Sequence, residues 1–334
     1  MPNLTKVGDL TTEALHQIAQ SALQFKRQRP DELPLQGNVV GLLFFEDSTR
    51  TRCSFEAAAK RLGGQTILVQ AAGSSSSKGE SWQDTVRMMD GYCDLLVTRH
   101  QAADSAGTAA EVATHPVVSA GSGAGEHPTQ ALLDLVTILE DLDLDVAGLQ
   151  ARTPPLRVTF MGDLKYGRTV HSLTRLLARF PVHFTFVAPE SLAMPPMLLL
   201  ELQEIHKEYQ AAELVVEHAE TLAGLPRGHV ANYIYMTRVQ KERLSEKDRK
   251  SYHGTHPLQL DHVTMSQFPL AKILHPLPRV DELSSDLDHS RHCLYFEQAK
   301  NGVFTRMAVL LWSLDLLGEV QRKLVAWRFP FSKL

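Results

Sequence analysis

The sequence predicts an α/β protein of two domains, each a parallel sheet flanked by helices, with a C-terminal helix returning to the first domain. Three observations carry this expectation. Short apolar runs alternate with helical patterns from end to end. The 334 residues exceed the usual size of a single domain. A Pro-Pro turn closes the stretch Gly148–Pro155, where one helical pattern stops and a new strand begins.

The runs Val39–Phe45, Leu95–Val97, Pro116–Ser119, Val158–Met161, Phe184–Val187, Tyr233–Tyr235 and Lys272–Leu274 read as strands, because strands covered on both faces are apolar throughout. Between them, Ser54–Leu62, Ala131–Leu142, Thr169–Phe180 and Met197–Tyr209 place apolar residues near a 3.6-residue period. Strand and helix in alternation imply crossover units and parallel sheets. The expected domains are 1–137 plus 302–334 and 138–301, with Gly302–Leu317 as the helix that crosses back.

Composition excludes several classes. With 43% hydrophobic and 22% charged residues, the chain has the balance of a soluble globular protein rather than a disordered one. No apolar run reaches the roughly 18 residues of a membrane span. The net charge of −4 argues against a general nucleic-acid binder, so an anionic ligand must be caught locally. Cys53, Cys93 and Cys293 lack metal-type pairing and read as buried, reduced thiols. The histidines show no metal-binding spacing, so neither metal nor organic cofactor is expected. Met1–Leu10 lacks the build of a signal peptide, and the expected compartment is the cytoplasm. Ser332-Lys333-Leu334 matches the peroxisomal address and supplies the alternative.

Ligands of open α/β sheets gather at the carboxyl ends of the strands, so the residues just after each strand are the informative ones. After the first come Ser48, Thr49, Arg50, Thr51 and Arg52 at a helix start. Hydroxyls, free backbone N–H groups and a guanidinium there can surround a phosphate, whereas helix capping alone accounts for one hydroxyl. A second strand ends at Arg99-His100. A third runs into a glycine-rich turn that lacks the dinucleotide spacing and continues to His127-Pro128-Thr129-Gln130. By itself His127 could be a cap. In the second half, Gly162 to Thr169 comes near a nucleotide-binding loop, but Arg168 stands where a phosphate-grasping lysine belongs. Arg238, Gln240 and Arg243, then His275-Pro276-Leu277-Pro278-Arg279, complete the strand-end loops, which a solvated basic rim could also explain.

Taken together these segments resemble the aspartate carbamoyltransferase family over nearly the whole chain. The motifs occur in the family's order: Phe-Phe-Glu-Asp-Ser-Thr-Arg-Thr-Arg, Lys78-Gly-Glu, His127-Pro-Thr-Gln, Gly-Asp-Leu-Lys-Tyr-Gly-Arg-Thr-Val-His, Tyr-Met-Thr-Arg-Val-Gln-Lys-Glu-Arg and His-Pro-Leu-Pro-Arg. Ornithine carbamoyltransferases share some of these but typically carry Cys where Pro276 stands. The alternatives of another class are a non-catalytic subunit of a pyrimidine-pathway assembly and a nucleotide-binding switch.

The resemblance implies transfer of a carbamoyl group from carbamoyl phosphate to L-aspartate, an early step of pyrimidine synthesis. It makes the first domain the carbamoyl phosphate-binding domain and the second the aspartate-binding domain. It implies that Ser48, Thr49, Arg50, Thr51 and Arg99 hold the phosphate. His127, Arg99 and Thr51 grip the carbonyl oxygen, and Gln130 with the Leu277 and Pro278 carbonyls binds the carbamoyl NH2. Leu277-Pro278 is expected to be cis. Arg168, Arg238 and Gln240 take the carboxylates of aspartate, and Glu46 pairs with Arg168 and Arg243 when the domains close. Lys78 enters from a neighbouring subunit of a homotrimer, and a higher assembly with regulatory chains stays open. The chain departs from some relatives in the lysine loop, which here reads Gly73-Ser-Ser-Ser-Ser-Lys78, and in a longer tail beyond Leu317.

Overall fold

The structure is a computed structural model describing residues 1–28, 30, 32–72, 74, 78–226, 228–240 and 258–326, the last four by backbone alone. The chain divides into two compact units, Met1–Val146 with Lys300–Leu334, and Ala147–Ala299.

The first unit carries β1 (Val39–Phe44), β2 (Gln65–Gln70), β3 (Leu95–His100) and β4 (Val117–Ser122), in the parallel order β2-β1-β3-β4. Its helices are α1 (Thr12–Arg27), α2 (Thr49–Arg61), α3 (Trp82–Asp90), α4 (Ser105–Val112) and α5 (Pro128–Leu142). Thr11 starts α1 by accepting from the Ala14 amide, and Ser81 starts α3 by accepting from the Asp84 amide. Leu4 exchanges backbone hydrogen bonds with Val117 and Ser119 and so covers the outer edge of β4.

The helix α6 (Val146–Gln150) begins at the last residue of the first unit. The second unit carries β5 (Leu156–Met161), β6 (Val182–Val187), β7 (Val215–Ala219), β8 (Tyr233–Met236) and β9 (Lys272–Leu274), in the parallel order β7-β6-β5-β8-β9. Helices α7 (Arg168–Leu177), α8 (Pro196–Gln210) and α9 (His262–Met265) belong to it. Phe160, Phe184, Phe186 and Tyr235 interlock across three strands with ring centroids 5.5–5.8 Å apart, and burial of each such side chain contributes about 1.5–3 kcal/mol.

Helix α10 (Tyr295–Ser313) begins in the second unit and passes into the first, where Asn301 donates to Thr137 Oγ1 and to the Glu140 carboxylate. Helix α11 (Leu317–Ala326) follows and ties back to α1 through Gln321, whose amide donates to Ser21 Oγ.

Three expectations need correction. The unit boundary falls after Val146 rather than after residue 137, because α5 is one buried helix that continues to Leu142. Strands β2 and β7 escape the sequence reading: both are sheet edges, half open to solvent, and neither carries a continuous buried run. Cys53 is exposed on α2 and Cys293 only partly covered, so of the three thiols Cys93 alone is buried. No helix among the described residues is long and apolar enough to cross a membrane. Ser332-Lys333-Leu334 lies outside the described residues.

Candidate active site

In each sheet the chain first steps outward from its starting strand, then returns to that strand's other side. The reversal lies between β1 and β3 in the first sheet and between β5 and β8 in the second. Loops leaving two such strands part in opposite directions and open a crevice at their carboxyl ends. Glu46 and Ser48–Thr51 follow β1 and Arg99 stands at the end of β3 at the first place, and Arg168, Arg238 and Gln240 follow the strands at the second, while Lys78, His127, Gln130 and Leu277-Pro278 follow the neighbouring strands β2, β4 and β9.

In the first unit, Ser48 is the N-cap of α2 but its hydroxyl makes no capping bond, which disposes of capping as its role. Thr49 and Arg50 are exposed, whereas Thr51 is buried at 8% exposure. The start of α2 therefore offers free amides, hydroxyls and a guanidinium to an anion. Opposite it, Arg99 lies where the β3–β4 register shifts between Thr98 and His100, an irregularity of the kind that redirects side chains beside binding sites. Its guanidinium donates to the Ala120 carbonyl at 3.1 Å and to Glu46 Oε1 at 2.7 Å. Glu46, expected to pair with Arg168 and Arg243, thus holds Arg99 inside its own unit, and Arg243 lies outside the described residues.

The glycine-rich turn brings the third element in. Gly123 has φ +41, and a Cβ there would stand 2.0 Å from the Gln101 carbonyl oxygen, so only glycine lets the turn lie against the chain leaving β3. That contact holds the turn leading to α5 against the chain that follows Arg99-His100. His127 is the N-cap of α5, yet its ring makes no capping bond. Gln130, on the first turn, donates its amide N–H to the wholly buried Asp134 at 2.9 Å.

Lys78 is exposed, and Ser74 Oγ donates to the Ala71 carbonyl, while Ser75–Ser77 lie outside the described residues. The chain after this loop is anchored by Trp82, whose indole donates to the Ser105 carbonyl and stacks 4.9 Å from His100. Burial lowers the pKa of that histidine.

The second unit repeats the plan. Gly162 has φ +105, and a Cβ there would stand 2.1 Å from the Thr237 carbonyl oxygen, which locks the loop after β5 against the loop after β8. Of the two glycines that imitate a nucleotide loop, Gly162 serves this approach, and Gly167 lets the loop fold on itself, since a Cβ there would stand 2.4 Å from the Asp163 carbonyl oxygen. Asp163, fully buried, accepts from the Tyr166 amide at 2.8 Å and from the Gln240 amide at 3.0 Å, while its own amide donates to Thr237 Oγ1. Arg168 begins α7 and is 6% exposed, and Arg238 is half-buried, so neither forms the solvated rim of the bland reading. The Gln240 side-chain amide donates to the Tyr166 carbonyl at 2.9 Å.

The 275–282 loop is held by a buried pair. His275 Nε2 meets Glu282 Oε1 at 2.8 Å, and His275 Nδ1 accepts from the Leu277 amide at 2.8 Å. Because Nδ1 accepts, Nε2 carries the proton and donates to the carboxylate, which fixes the tautomer. Hydrogen bonding to His275 holds the Glu282 carboxyl below its usual range despite burial. This bracket retains Leu277 at φ +55, and the Leu277–Pro278 peptide is cis.

The sequence reading missed Asp134, Asp163, Glu282 and Arg306. A signal existed for two of them: Asp134 sits one turn from Gln130 on one helix face, and Arg306 interrupts an apolar run in α10. Asp163 also binds the Gln240 and Thr237 segment, more than seventy residues on, and Glu282 meets His275 only across the folded 275–282 loop, so neither left such a trace.

Residues 3–140 match the family described as aspartate/ornithine carbamoyltransferase, carbamoyl-P binding domain, and residues 155–313 its Asp/Orn binding domain. The chain is 42% identical over 317 residues to the aspartate carbamoyltransferase catalytic subunit of Aliivibrio fischeri, covering 94% of this chain and 96% of that one. The catalytic subunit from Chromobacterium violaceum is 41% identical, with 92% and 96% covered. Among solved structures, aspartate transcarbamoylase from Trypanosoma cruzi in complex with carbamoyl phosphate and aspartate superposes with a TM-score of 0.82 at 36% identity, covering 93% and 96%. The catalytic subunit of the M. jannaschii enzyme gives 0.79 at 35% identity, covering 96% and 99%. The chain belongs to the aspartate/ornithine carbamoyltransferase family.

Proposed function

We infer that the chain is an aspartate carbamoyltransferase, converting carbamoyl phosphate and L-aspartate to N-carbamoyl-L-aspartate and phosphate. Relatives bearing that name support the aspartate reading over the ornithine one. The observation that carries it is the paired switch points: an anion cradle at β1/β3, and a second crevice at β5/β8 whose loops hold Arg168 and Arg238. Two guanidiniums suit a dicarboxylate, and neither suits the cationic side chain of ornithine. The test is product formation with each acceptor; carbamoyl phosphate consumed faster with ornithine than with aspartate would overturn the assignment.

In this reading Ser48, Thr49, Arg50, Thr51 and Arg99 hold the phosphate. The amine attacks the carbonyl carbon and a negative oxygen develops. Arg99, His127 and Thr51 stabilise it, fixed donors of this kind contributing about 2.7–4 kcal/mol each. Gln130 and the Leu277 and Pro278 carbonyls orient the carbamoyl NH2, while Arg168, Arg238 and Gln240 position aspartate, an advantage of up to roughly 7–11 kcal/mol. The departing phosphate can take the amine's proton. Both ligand sets must serve one carbonyl carbon. We assign Glu46 to that step, through the pairing with Arg168 and Arg243 that the family resemblance implies.

The active sites are shared in a homotrimer, with the exposed Lys78 completing a neighbour's site. Arg50→Ala inactivates the site a subunit houses and Lys78→Ala its neighbour's. Random equal mixing of the two inactive mutants into trimers restores about one quarter of wild-type activity, since mixed rings form about three quarters of the time with one good site in three. Mixed trimers that stay as inactive as their parents contradict the shared site.

A further inference from the structure

Gln130 is turned one way by a buried charge. Asp134 lies one helical turn beyond it, is fully buried, and accepts Gln130 Nε2–H at 2.9 Å. An ionised carboxylate can only accept, so the Gln130 amide cannot flip without setting two acceptors against each other. Its nitrogen is committed to Asp134, and Oε1 remains for a ligand.

A buried carboxylate stays charged only beside a cation. Arg306 supplies one from α10: it is 3% exposed and near enough to feel the charges of Asp134 and Arg99. Its Nη1 donates to Ser54 Oγ at 2.9 Å and its guanidinium lies 5.0 Å from the Phe55 ring centroid, both on α2. Gly302, one turn earlier, leaves the space this guanidinium fills, since a Cβ there would stand 2.5 Å from Nη1. Burial pushes the arginine down to about 9, so at neutral pH it keeps its charge.

We propose that Asp134, held ionised beside Arg306, fixes Gln130 with its oxygen toward the transferred group and thereby makes an N–H donor on that group a requirement. This rests on the reading that Gln130 meets the carbamoyl NH2. Acetyl phosphate, which has methyl in place of NH2, then leaves Oε1 without a donor and binds poorly, because a site built for a hydrogen bond rejects the analogue lacking it. Asp134 is a positioning residue.

Three ligands separate this role from general packing: carbamoyl phosphate, acetyl phosphate and inorganic phosphate, titrated calorimetrically against the full chain. In Gln130→Ala the preference for carbamoyl over acetyl phosphate falls roughly tenfold or more. Asp134→Asn lowers that preference by a similar factor, because its amide can face either end of Gln130, and leaves inorganic phosphate binding unchanged. Loss of packing alone weakens all three ligands together and overturns the proposal. If Gln130→Ala collapses the preference and Asp134→Asn does not, Asp134 does not orient the amide. If Gln130→Ala itself leaves the preference intact, the reading of Gln130 fails first, and this inference with it. Should Asp134→Asn not fold because Arg306 loses its partner, the double variant Asp134→Asn with Arg306→Gln removes both buried charges at once and reads the same ratio. A preference retained there also overturns the proposal.

Discussion

The crevice at β1/β3 and the crevice at β5/β8 share a design but differ in what their polar groups are doing. Each sits at a topological reversal, and each uses one glycine, Gly123 or Gly162, to press two strand-end loops together. At β1/β3, neither the Ser48 hydroxyl nor the His127 ring is spent on capping, and Thr51, Arg99, His127 and Gln130 are all buried in place. At β5/β8, the Gln240 amide is already bonded to the Tyr166 carbonyl, and Arg238 reaches the Val239 carbonyl at 3.5 Å. The first crevice holds these side chains buried in place, with Arg99 kept by Glu46 and the Ala120 carbonyl. The second must exchange bonds to its own backbone for bonds to ligand, so part of its binding energy goes into rearrangement.

The largest expected effect lies in the first crevice. His127→Ala removes a fixed donor to the developing oxyanion and lowers kcat by about 10²–10³-fold while phosphate binding persists. Steady-state kinetics with a phosphate titration check it, and an unchanged kcat would break the contrast.

Next comes Glu46→Ala. Arg99 loses its 2.7 Å partner, yet ligand phosphate replaces it, so turnover falls far more than carbamoyl phosphate affinity. Stopped turnover with intact binding sharpens the comparison; unchanged turnover removes Glu46 from the reaction.

Asp163→Asn probes the second crevice through its scaffold. The carboxylate accepts from two backbone amides, so its loss loosens the loops bearing Arg168 and Gln240 and raises the KM for aspartate roughly tenfold. Carbamoyl phosphate binding should not move.

The smallest effect is a pH dependence away from both crevices. Burial pushes the Cys93 thiol up to about 11, from an ordinary value near 9. Between these values the unfolded chain has released its proton and the folded chain has not, so this thiol favours the fold below pH 9 and that contribution declines as pH rises toward 11. Alkylation followed by peptide mapping should find exposed Cys53 modified before Cys93.

Much of this was legible in the sequence. Strands buried on both faces announced themselves as apolar runs, and the polar residues after them marked both crevices. Edges β2 and β7 did not, because a strand half in solvent has no such run. The site residues divide the same way. Arg50 and Arg168 could be read from their position after a strand. What holds them could not: Asp163 acts through Tyr166 and Gln240, and Arg306 acts from α10 on Ser54 in α2. Those relations exist only once the chain has folded. Glu46 shows the limit in another way, since its contact with Arg99 had no sign in the sequence.

The division of labour between the crevices is tested most directly by the carbamoyl phosphate dissociation constant of two variants, measured by calorimetry without aspartate. Arg50→Ala should weaken it by at least about tenfold, since it deletes a charge-assisted contact to phosphate. Arg168→Ala should leave it unchanged while raising the KM for aspartate. If Arg168→Ala weakens carbamoyl phosphate as much as Arg50→Ala does, the two crevices do not have separate ligands and the account is wrong.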